Sequence, residues 1–253
     1  MLTPAEREQF VVDGFIIVRE VFDEEVARQL VDLVWERLGE DPLAPSESFR
    51  RRPQLEDVIE SGPIDALLAP KLCAIVDELV GEGRWWTRRG FGWTIARLAA
   101  VPGTRWSPPL NGWHVDGMDF QHRLDSPEQA LVGLEMLTPS RPYGGATALR
   151  RGSHAAVAQL LDRAGEEGVS YMQLRNFSDA LEGHEVVQAT GDTGDVLLMH
   201  PFLVHARGMN VLSEPRLAAN RAFSLHKPMR IRHPHPDGFS LVEHAIRVAL
   251  QLD

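Results

Sequence analysis

Cysteine is the residue that this sequence most clearly lacks, since Cys73 is the only one among 253 residues. A single thiol excludes an internal disulfide and a cluster of thiolate metal ligands, so any metal site has to use histidine and carboxylate side chains. The scarcity of cysteine also favours an intracellular protein over a secreted one. We expect Cys73 itself to lie in the core.

Long apolar runs and an excess of positive charge are missing as well. No apolar segment approaches the length of a membrane span, and no apolar run behind a basic cluster indicates a secretory signal. The formal net charge of −10 argues against a general nucleic-acid binder, which needs a basic face, although local basic patches stay possible. We therefore expect a soluble, cytoplasmic protein with neither nucleic acid nor a membrane as partner, and of unknown oligomeric state.

The length and the order of the patterns favour one domain, residues 1–253, with a substantial buried core. Residues 1–83 are predicted to form a mostly helical scaffold, because apolar residues recur there at helical spacing. Residues 84–230 contain short apolar runs separated by glycine and aspartate turns, which is typical of a β-rich core. Residues 231–253 are predicted to end in a closing helix.

Three segments give more specific expectations. One apolar stripe predicts a continuous helix over residues 63–80. Residues 118–127 form a polar loop, which is either solvated or a wall of an active site. Residues 162–184 are polar and without a clear period, which indicates an irregular insertion near the mouth of a cavity.

The stretch that combines candidate metal ligands at the closest spacing is Asn111-Gly112-Trp113-His114-Val115-Asp116-Gly117. On an extended strand His114 and Asp116 project to the same side, so they can bind one ion together. A His-X-Asp triplet alone is more often a hydrogen-bonded pair than a pair of ligands. His205 is the candidate third ligand, because two imidazoles and one carboxylate on one face of an octahedron are the set expected for non-haem Fe(II).

Arg216 strengthens the metal interpretation. It follows His205 after Leu212-Ser213-Glu214-Pro215, an order that predicts a hairpin. Across such a hairpin Arg216 would lie deeper in the same cavity, as a fixed cation near a metal with vacant positions.

Together these residues resemble the phytanoyl-CoA dioxygenase family, and the likeness covers nearly the whole chain. The motifs that carry it are His114-Val115-Asp116, residues 145–154, His200-Pro201 leading to His205, Arg216, and the start through Asp13-Gly14-Phe15. The resemblance implies a mainly β fold with flanking helices: a double-stranded β-helix, or cupin-like jelly roll, with N-terminal helices packed on one sheet. This sequence departs from the family pattern at Arg151, where the family usually has proline.

The resemblance also implies a chemistry, that of a 2-oxoglutarate-dependent dioxygenase. His114, Asp116 and His205 would hold Fe(II), and 2-oxoglutarate and O2 would take the open positions. Arg216 would pair with the far carboxylate of 2-oxoglutarate, near a contact from Thr147. The expected reaction oxidises, most simply hydroxylates, a C–H bond of a small molecule and releases succinate and CO2. Related halogenases lack the carboxylate that Asp116 supplies, which argues against chlorination.

Three further residues are candidates for contacting the substrate. Arg207 lies two residues after His205 and should share its face, where the family more often has a small residue. Either Arg207 competes with Arg216 for the cosubstrate, or it holds an anionic substrate, and we hypothesise the second. Arg97 is either a cavity cation or a partner in an ion pair at the rim. Trp113 directly precedes a candidate ligand, although most of the tryptophans between residues 85 and 113 are expected to be structural.

Two other functions compete with the oxygenase. One is a non-catalytic barrel that binds a metal or a small acid. The other is a non-oxidative enzyme, an isomerase or hydrolase, that uses the same triad with a different divalent ion.

Overall fold

The structure is a computed structural model that describes residues 1–51, 53–55, 59–90, 94–98, 100–233 and 238–252, with the backbone alone at 48, 51 and 94–97. The α-helices are α1 (Pro4–Asp13), α2 (Glu24–Leu38), α3 (Glu47–Arg51), α4 (Pro70–Val80), α5 (His154–Ala164), α6 (Tyr171–Ala180) and α7 (Leu241–Ala249). Short 3-10 helices span Ile64–Leu68 and Gly165–Glu167. The strands are β1 (Phe15–Val18), β2 (Gln54–Leu55), β3 (Trp85–Trp86), β4 (Thr94–Arg97), β5 (Leu131–Met136), β6 (Thr147–Arg150), β7 (Val186–Ala189), β8 (Val196–Met199), β9 (His205–Ala206) and β10 (Arg216–Leu225).

The strands form two antiparallel sheets. The larger sheet has the order β1-β8-β5-β10-β4-β2, with β3 also paired to β10, and the smaller has the order β7-β6-β9. Inward side chains of both sheets share one apolar cluster, so the sheets pack face to face. Its buried members are Phe15, Val132, Leu134, Met136, Leu149, Ala189, Leu197, Met199, Leu203 and Ala218. Two antiparallel sheets with flanking helices confirm the predicted fold class.

Strand β10 shows how the sequence assigns its two faces. Leu217 and Ala219 belong to the apolar cluster that includes the helices, whereas Ala218 belongs to the cluster between the sheets. Because side chains alternate along a strand, Arg216 and Asn220 share the inward face with Ala218. A polar pair is therefore delivered into the space between the sheets.

Three local predictions need correction. The expected helix over 63–80 is broken: a 3-10 helix ends at Leu68 and α4 begins at Pro70, because the proline ring fits a first helical turn but not an interior. Residues 162–184 are not irregular, since they include α6, whose start is capped by Ser170 and Gln173. Cys73 is only partly buried on α4, and its thiol donates to the Leu68 carbonyl at 3.4 Å.

The predicted hairpin between His205 and Arg216 is wrong. Strand β9 pairs with β6 in the smaller sheet, whereas β10 pairs with β3, β4 and β5 in the larger one. The turn-like residues between them therefore carry the chain from one sheet to the other. A turn signal marks a reversal of direction, but it does not identify the pairing partner of the next strand.

The C-terminal helix is held by a buried ion pair. Glu243 on α7 receives the Arg84 guanidinium at 2.9 and 2.5 Å, and it also accepts the main-chain N–H groups of Arg230 and Ser240. Burial raises the pKa of Glu243, but these donors outweigh it, so the pKa lies below the ordinary value. The pair therefore adds stability that is present near neutral pH and is lost as the pH falls through the lowered pKa.

Glu243→Gln is expected to lower the free energy of unfolding by about 3 kcal/mol, because it leaves the largely buried Arg84 guanidinium without its charge partner. Glu25→Gln is the matched control: Glu25 pairs with Arg28 on the surface, where solvent screens the pair, so its loss should change stability much less than the loss of Glu243 does. Urea unfolding of both variants measures the difference. Equal effects would show that the α7 ion pair is not the anchor described here.

None of the helices in the described part of the chain has the length and apolar character needed to cross a membrane.

Candidate metal centre and anion pocket

His114 and His205 are brought together by the backbone. Each accepts the other's main-chain N–H at 2.9 Å, which forms a single antiparallel bridge beside β9. Their imidazole rings lie 4.4 Å apart between centroids. The backbone therefore brings together two candidate ligands that lie far apart in the sequence.

Asp116 completes the cluster from a bend that follows the bridge. Its Oδ1 lies 3.4 Å from His114 Nε2 and 3.5 Å from His205 Nε2. One ligand atom from each residue lies within 4.8 Å of the others, which is compatible with three ligands on one face of an ion. The described part of the chain contains no second cluster of this kind.

Main-chain carbonyls orient both imidazoles. Nδ1 of His114 lies 2.9 Å from the Gly112 oxygen, and Nδ1 of His205 lies 3.0 Å from the Leu203 oxygen. A carbonyl only accepts, so each Nδ1 carries a proton and donates. The Nε2 lone pairs then face Asp116 and are free to bind a metal, the usual arrangement of metal-binding histidines.

The electrostatics of the cluster favour a positive charge at its centre. Burial opposes ionisation of Asp116, yet the His205 and His114 rings outweigh it and hold the pKa of that carboxyl well below its usual range. Burial lowers the pKa of His205, but Asp116 and the Leu203 carbonyl together raise it above the ordinary value. A divalent cation supplies the same charge with a geometry that suits all three donors.

Asn220 is a site residue that the sequence interpretation missed. Its amide nitrogen donates to Asp116 Oδ2 at 2.9 Å. The available signal was strand periodicity, since Asn220 shares the inward face of β10 with Arg216.

Arg216 is a candidate anion-binding group between the sheets. Its side chain is buried, and Nη2 donates to the Thr147 hydroxyl at 3.3 Å. Nε has no hydrogen-bond partner among the described residues. Burial lowers the pKa of Arg216 to about 10, so the group stays charged near neutral pH. A buried guanidinium that forms no ion pair within the described part of the chain is costly, and an anionic ligand would offset that cost.

Two of the three predicted substrate residues have side chains that the structure describes, and they lie in different surroundings. Arg207 is exposed, and its guanidinium donates to Gln54 at 2.6 Å. Trp113 is buried in the apolar cluster that includes the helices, and the Arg150 guanidinium lies 4.4 Å from the centroid of its ring. For Arg97 only the backbone is described, opposite Arg216, so its side-chain prediction lies outside the described residues.

The other histidines near these motifs have structural environments. His200 is buried and accepts the Phe202 N–H at 3.1 Å, and its ring lies 4.9 Å from that of His154 between centroids, at a tilt of 42°. His154 lies 3.1 Å from the Val11 carbonyl, as expected of a structural hydrogen-bonder. His122 is also buried, 2.7 Å from the Gly117 carbonyl, so this part of the 118–127 loop packs beside the ligand segment.

Thr147→Val should weaken the binding of an anion to Arg216 by about two- to tenfold, because it removes one neutral hydrogen bond that holds the guanidinium in place. The measurement is the concentration dependence of 2-oxoglutarate in succinate formation. Thr104→Val is the matched control, because the Thr104 hydroxyl lies on the surface and donates to the nearby Val101 carbonyl. Equal responses would leave Thr147 with no part in the pocket.

A sequence model described as "Phytanoyl-CoA dioxygenase (PhyH)" matches residues 10–218. The chain belongs to the phytanoyl-CoA dioxygenase family. The match runs from α1 to the start of β10, so it spans all three candidate ligands, Thr147 and Arg216. The resemblance predicted from the motifs is confirmed. A comparison with curated protein sequences found no match.

Solved structures share the fold of this phytanoyl-CoA dioxygenase family member. EvdO2 from Micromonospora carbonacea var. aurantiaca is 18% identical with a TM-score of 0.61, covering 93% of this chain and 96% of its own. EctD from S. alaskensis, solved with 2-oxoglutarate and 5-hydroxyectoine, is 19% identical with a TM-score of 0.57, covering 94% and 83%. The epimerase SnoN, solved with Fe3+, alpha ketoglutarate and nogalamycin RO, is 18% identical with a TM-score of 0.56, covering 94% and 88%.

Proposed function

We propose that this protein is an Fe(II)- and 2-oxoglutarate-dependent dioxygenase that hydroxylates a C–H bond of a small molecule and releases succinate and CO2. The observation that carries the proposal is the pairing of two features between the sheets. His114, Asp116 and His205 offer three converging donor atoms, and the inward face of β10 adds the buried, incompletely bonded guanidinium of Arg216. Family membership supports both parts.

The donor set fits iron. Two neutral imidazoles and one carboxylate are the ligands of non-haem Fe(II) oxygenases, and they leave the opposite positions open. When bound, the ion and 2-oxoglutarate supply the oxidising chemistry by activating O2. The SnoN and EctD structures, which have this fold, were solved with iron or with the same cosubstrate.

Arg216 would bind the carboxylate of 2-oxoglutarate that lies away from the metal. Arg216 and Asn220 are four residues apart, about 13 Å along an extended strand. Since Asn220 contacts Asp116, the strand separates the guanidinium end of the pocket from the metal end. A planar guanidinium can give two parallel charge-assisted hydrogen bonds to one carboxylate. Thr147 would help to hold it in that orientation.

Arg207 receives no part in cosubstrate binding in this proposal. Its side chain is exposed and bonded to Gln54, whereas Arg216 is buried between the sheets. We keep the hypothesis that Arg207 meets an anionic group of the substrate. The apolar side chains of the cluster between the sheets would exclude water from the space beside the ligands.

Hydroxylation is the outcome that the retained carboxylate favours over chlorination. SnoN is named an epimerase, so the shared fold accommodates outcomes that add no oxygen. The test is anaerobic reconstitution with Fe(II) and 2-oxoglutarate, followed by O2 and a library of small metabolites. The proposal predicts succinate formation stimulated by one class of compound, with a product heavier by one oxygen atom.

Each rival function has its own result in that experiment. A non-catalytic barrel would bind metal or 2-oxoglutarate but would form no succinate under any condition. An oxygenase, in contrast, is expected to form succinate slowly even when no substrate is present, by uncoupled turnover. A non-oxidative enzyme would convert a compound in the absence of O2. A product of unchanged mass with an inverted stereocentre would show that the reaction is epimerisation and not hydroxylation.

A further inference from the structure

Asp116 reaches the metal centre from a bend and not from a strand, and the main chain there is held at the next residue, where His122 Nε2 lies 2.7 Å from the Gly117 carbonyl. Strand pairing on this segment is limited to His114, and Asp116 lies in the bend beyond it. Gly117 follows with φ +111, where a Cβ atom would come within 2.6 Å of Phe120. The Gln129 amide lies 3.4 Å from the Asp116 carbonyl, which is a weak contact. These contacts are made to main-chain carbonyls, so the orientation of the Asp116 carboxylate depends on the partners of its own oxygens.

Asn220 lies on one of the most firmly held parts of the fold. Strand β10 is in the middle of the larger sheet, and Asn220 is opposite Leu134 of β5. Its amide nitrogen reaches Asp116 Oδ2 at 2.9 Å, while Oδ1 faces both histidine Nε2 atoms. One carboxylate oxygen is thus bonded to the sheet and the other is turned towards the imidazoles.

A carboxylate can bind a metal through one oxygen or through both. If Asp116 turned to use both, it would occupy a position that a chelating cosubstrate or O2 needs. A donor on Oδ2 competes with that second bond and holds the carboxylate in its one-oxygen orientation. Groups that orient ligands in this way commonly change metal affinity by about 10- to 100-fold when they are removed.

We infer that Asn220 is a positioning residue that acts through Asp116 to hold it as a one-oxygen ligand. The inference rests on the proposed function, since it concerns the metal of that site. Asn220 does not touch the ion itself. It sets the affinity of the site and keeps the remaining coordination positions open.

The test titrates the metal-free protein with Co(II), an air-stable probe whose visible spectrum reports coordination. Asn220→Ala is expected to raise the Kd for Co(II) about tenfold and to change the visible spectrum of the bound ion. Asn220→Ser, whose hydroxyl is too short to reach Asp116, should behave alike and keeps the test valid if the alanine variant folds poorly. Asn176→Ala on the exposed side of α6 is the control and should match the wild type.

A double-mutant cycle shows whether Asn220 works through Asp116. In an Asp116→Ala background the further change Asn220→Ala should leave the Kd unchanged, because the group that it positions is gone. A Kd within about twofold of wild type for Asn220→Ala, or a further loss in the Asp116→Ala background, would overturn the inference. If the wild type binds no Co(II) at all, both this inference and the proposed function fail, whereas the first two results leave the proposed function standing.

Discussion

Replacing His205 by alanine is expected to abolish succinate formation and to raise the Kd for Fe(II) by more than about 100-fold. The substitution removes one of the three donor atoms that bind the metal. Losing a residue that only orients a ligand commonly weakens metal affinity by about 10- to 100-fold, and losing a ligand should weaken it more. It should not unfold the protein, because the bridge to His114 uses main-chain atoms only. His114→Ala should have the same effect.

His226→Ala is the matched control for the ligand variants. His226 is exposed, and its main-chain N–H donates a hydrogen bond to the Arg84 carbonyl. The measurements are metal content after reconstitution and succinate formed per minute. If His205→Ala kept wild-type iron content, His205 would not be a ligand, and the close approach of the two rings would need a purely structural explanation.

Replacing Arg216 by alanine is the second large expected effect. Losing one partner of a buried, hydrogen-bonded charge pair costs about 2–5 kcal/mol, so the KM for 2-oxoglutarate should rise by about 30- to several-thousand-fold. The kcat at saturating cosubstrate should change much less. Arg216→Lys should recover only part of the affinity, because an ammonium group cannot give the two parallel bonds.

Two further measurements separate a binding role of Arg216 from a structural one. Without cosubstrate, Arg216→Ala should leave Tm unchanged or raise it, since the substitution removes a buried charge that is incompletely paired. Arg207→Ala should change the KM for 2-oxoglutarate by less than about threefold, because a surface charge contributes little. A large fall in Tm for Arg216→Ala, or equal KM effects for both arginines, would contradict the assignment.

Much of the site is readable from the sequence because it depends on short-range geometry. The His-X-Asp spacing predicted two converging donors, and His114 and Asp116 do converge, although Asp116 lies in a bend and not on the expected strand. The partner of that segment was harder to predict. The need for a third ligand and the resemblance to a known family both indicated that His205 meets this segment, but no local signal gave the main-chain pairing of His205 with His114.

The errors have a common physical cause, which is that tertiary pairing overrides local signals. The turn before Arg216 indicated a hairpin, yet the chain crosses to the other sheet there, and Arg216 reaches the cavity from a strand that is not paired with that of His205. Asn220 was overlooked because an asparagine on a strand gives no chemical signal by itself. Its meaning appears only when the inward face of β10 is placed opposite Asp116.

The central claim is that three distant side chains bind one ferrous ion beside a guanidinium that holds a keto-diacid. The most direct test is an anaerobic titration of metal-free protein with Fe(II) and then 2-oxoglutarate, followed by visible absorption. We predict one iron per chain and a charge-transfer band that appears only after 2-oxoglutarate is added. The band should be absent in Asp116→Ala and should need far more 2-oxoglutarate in Arg216→Ala. Iron binding without any such band, or a band that is unaffected by both substitutions, would contradict the account.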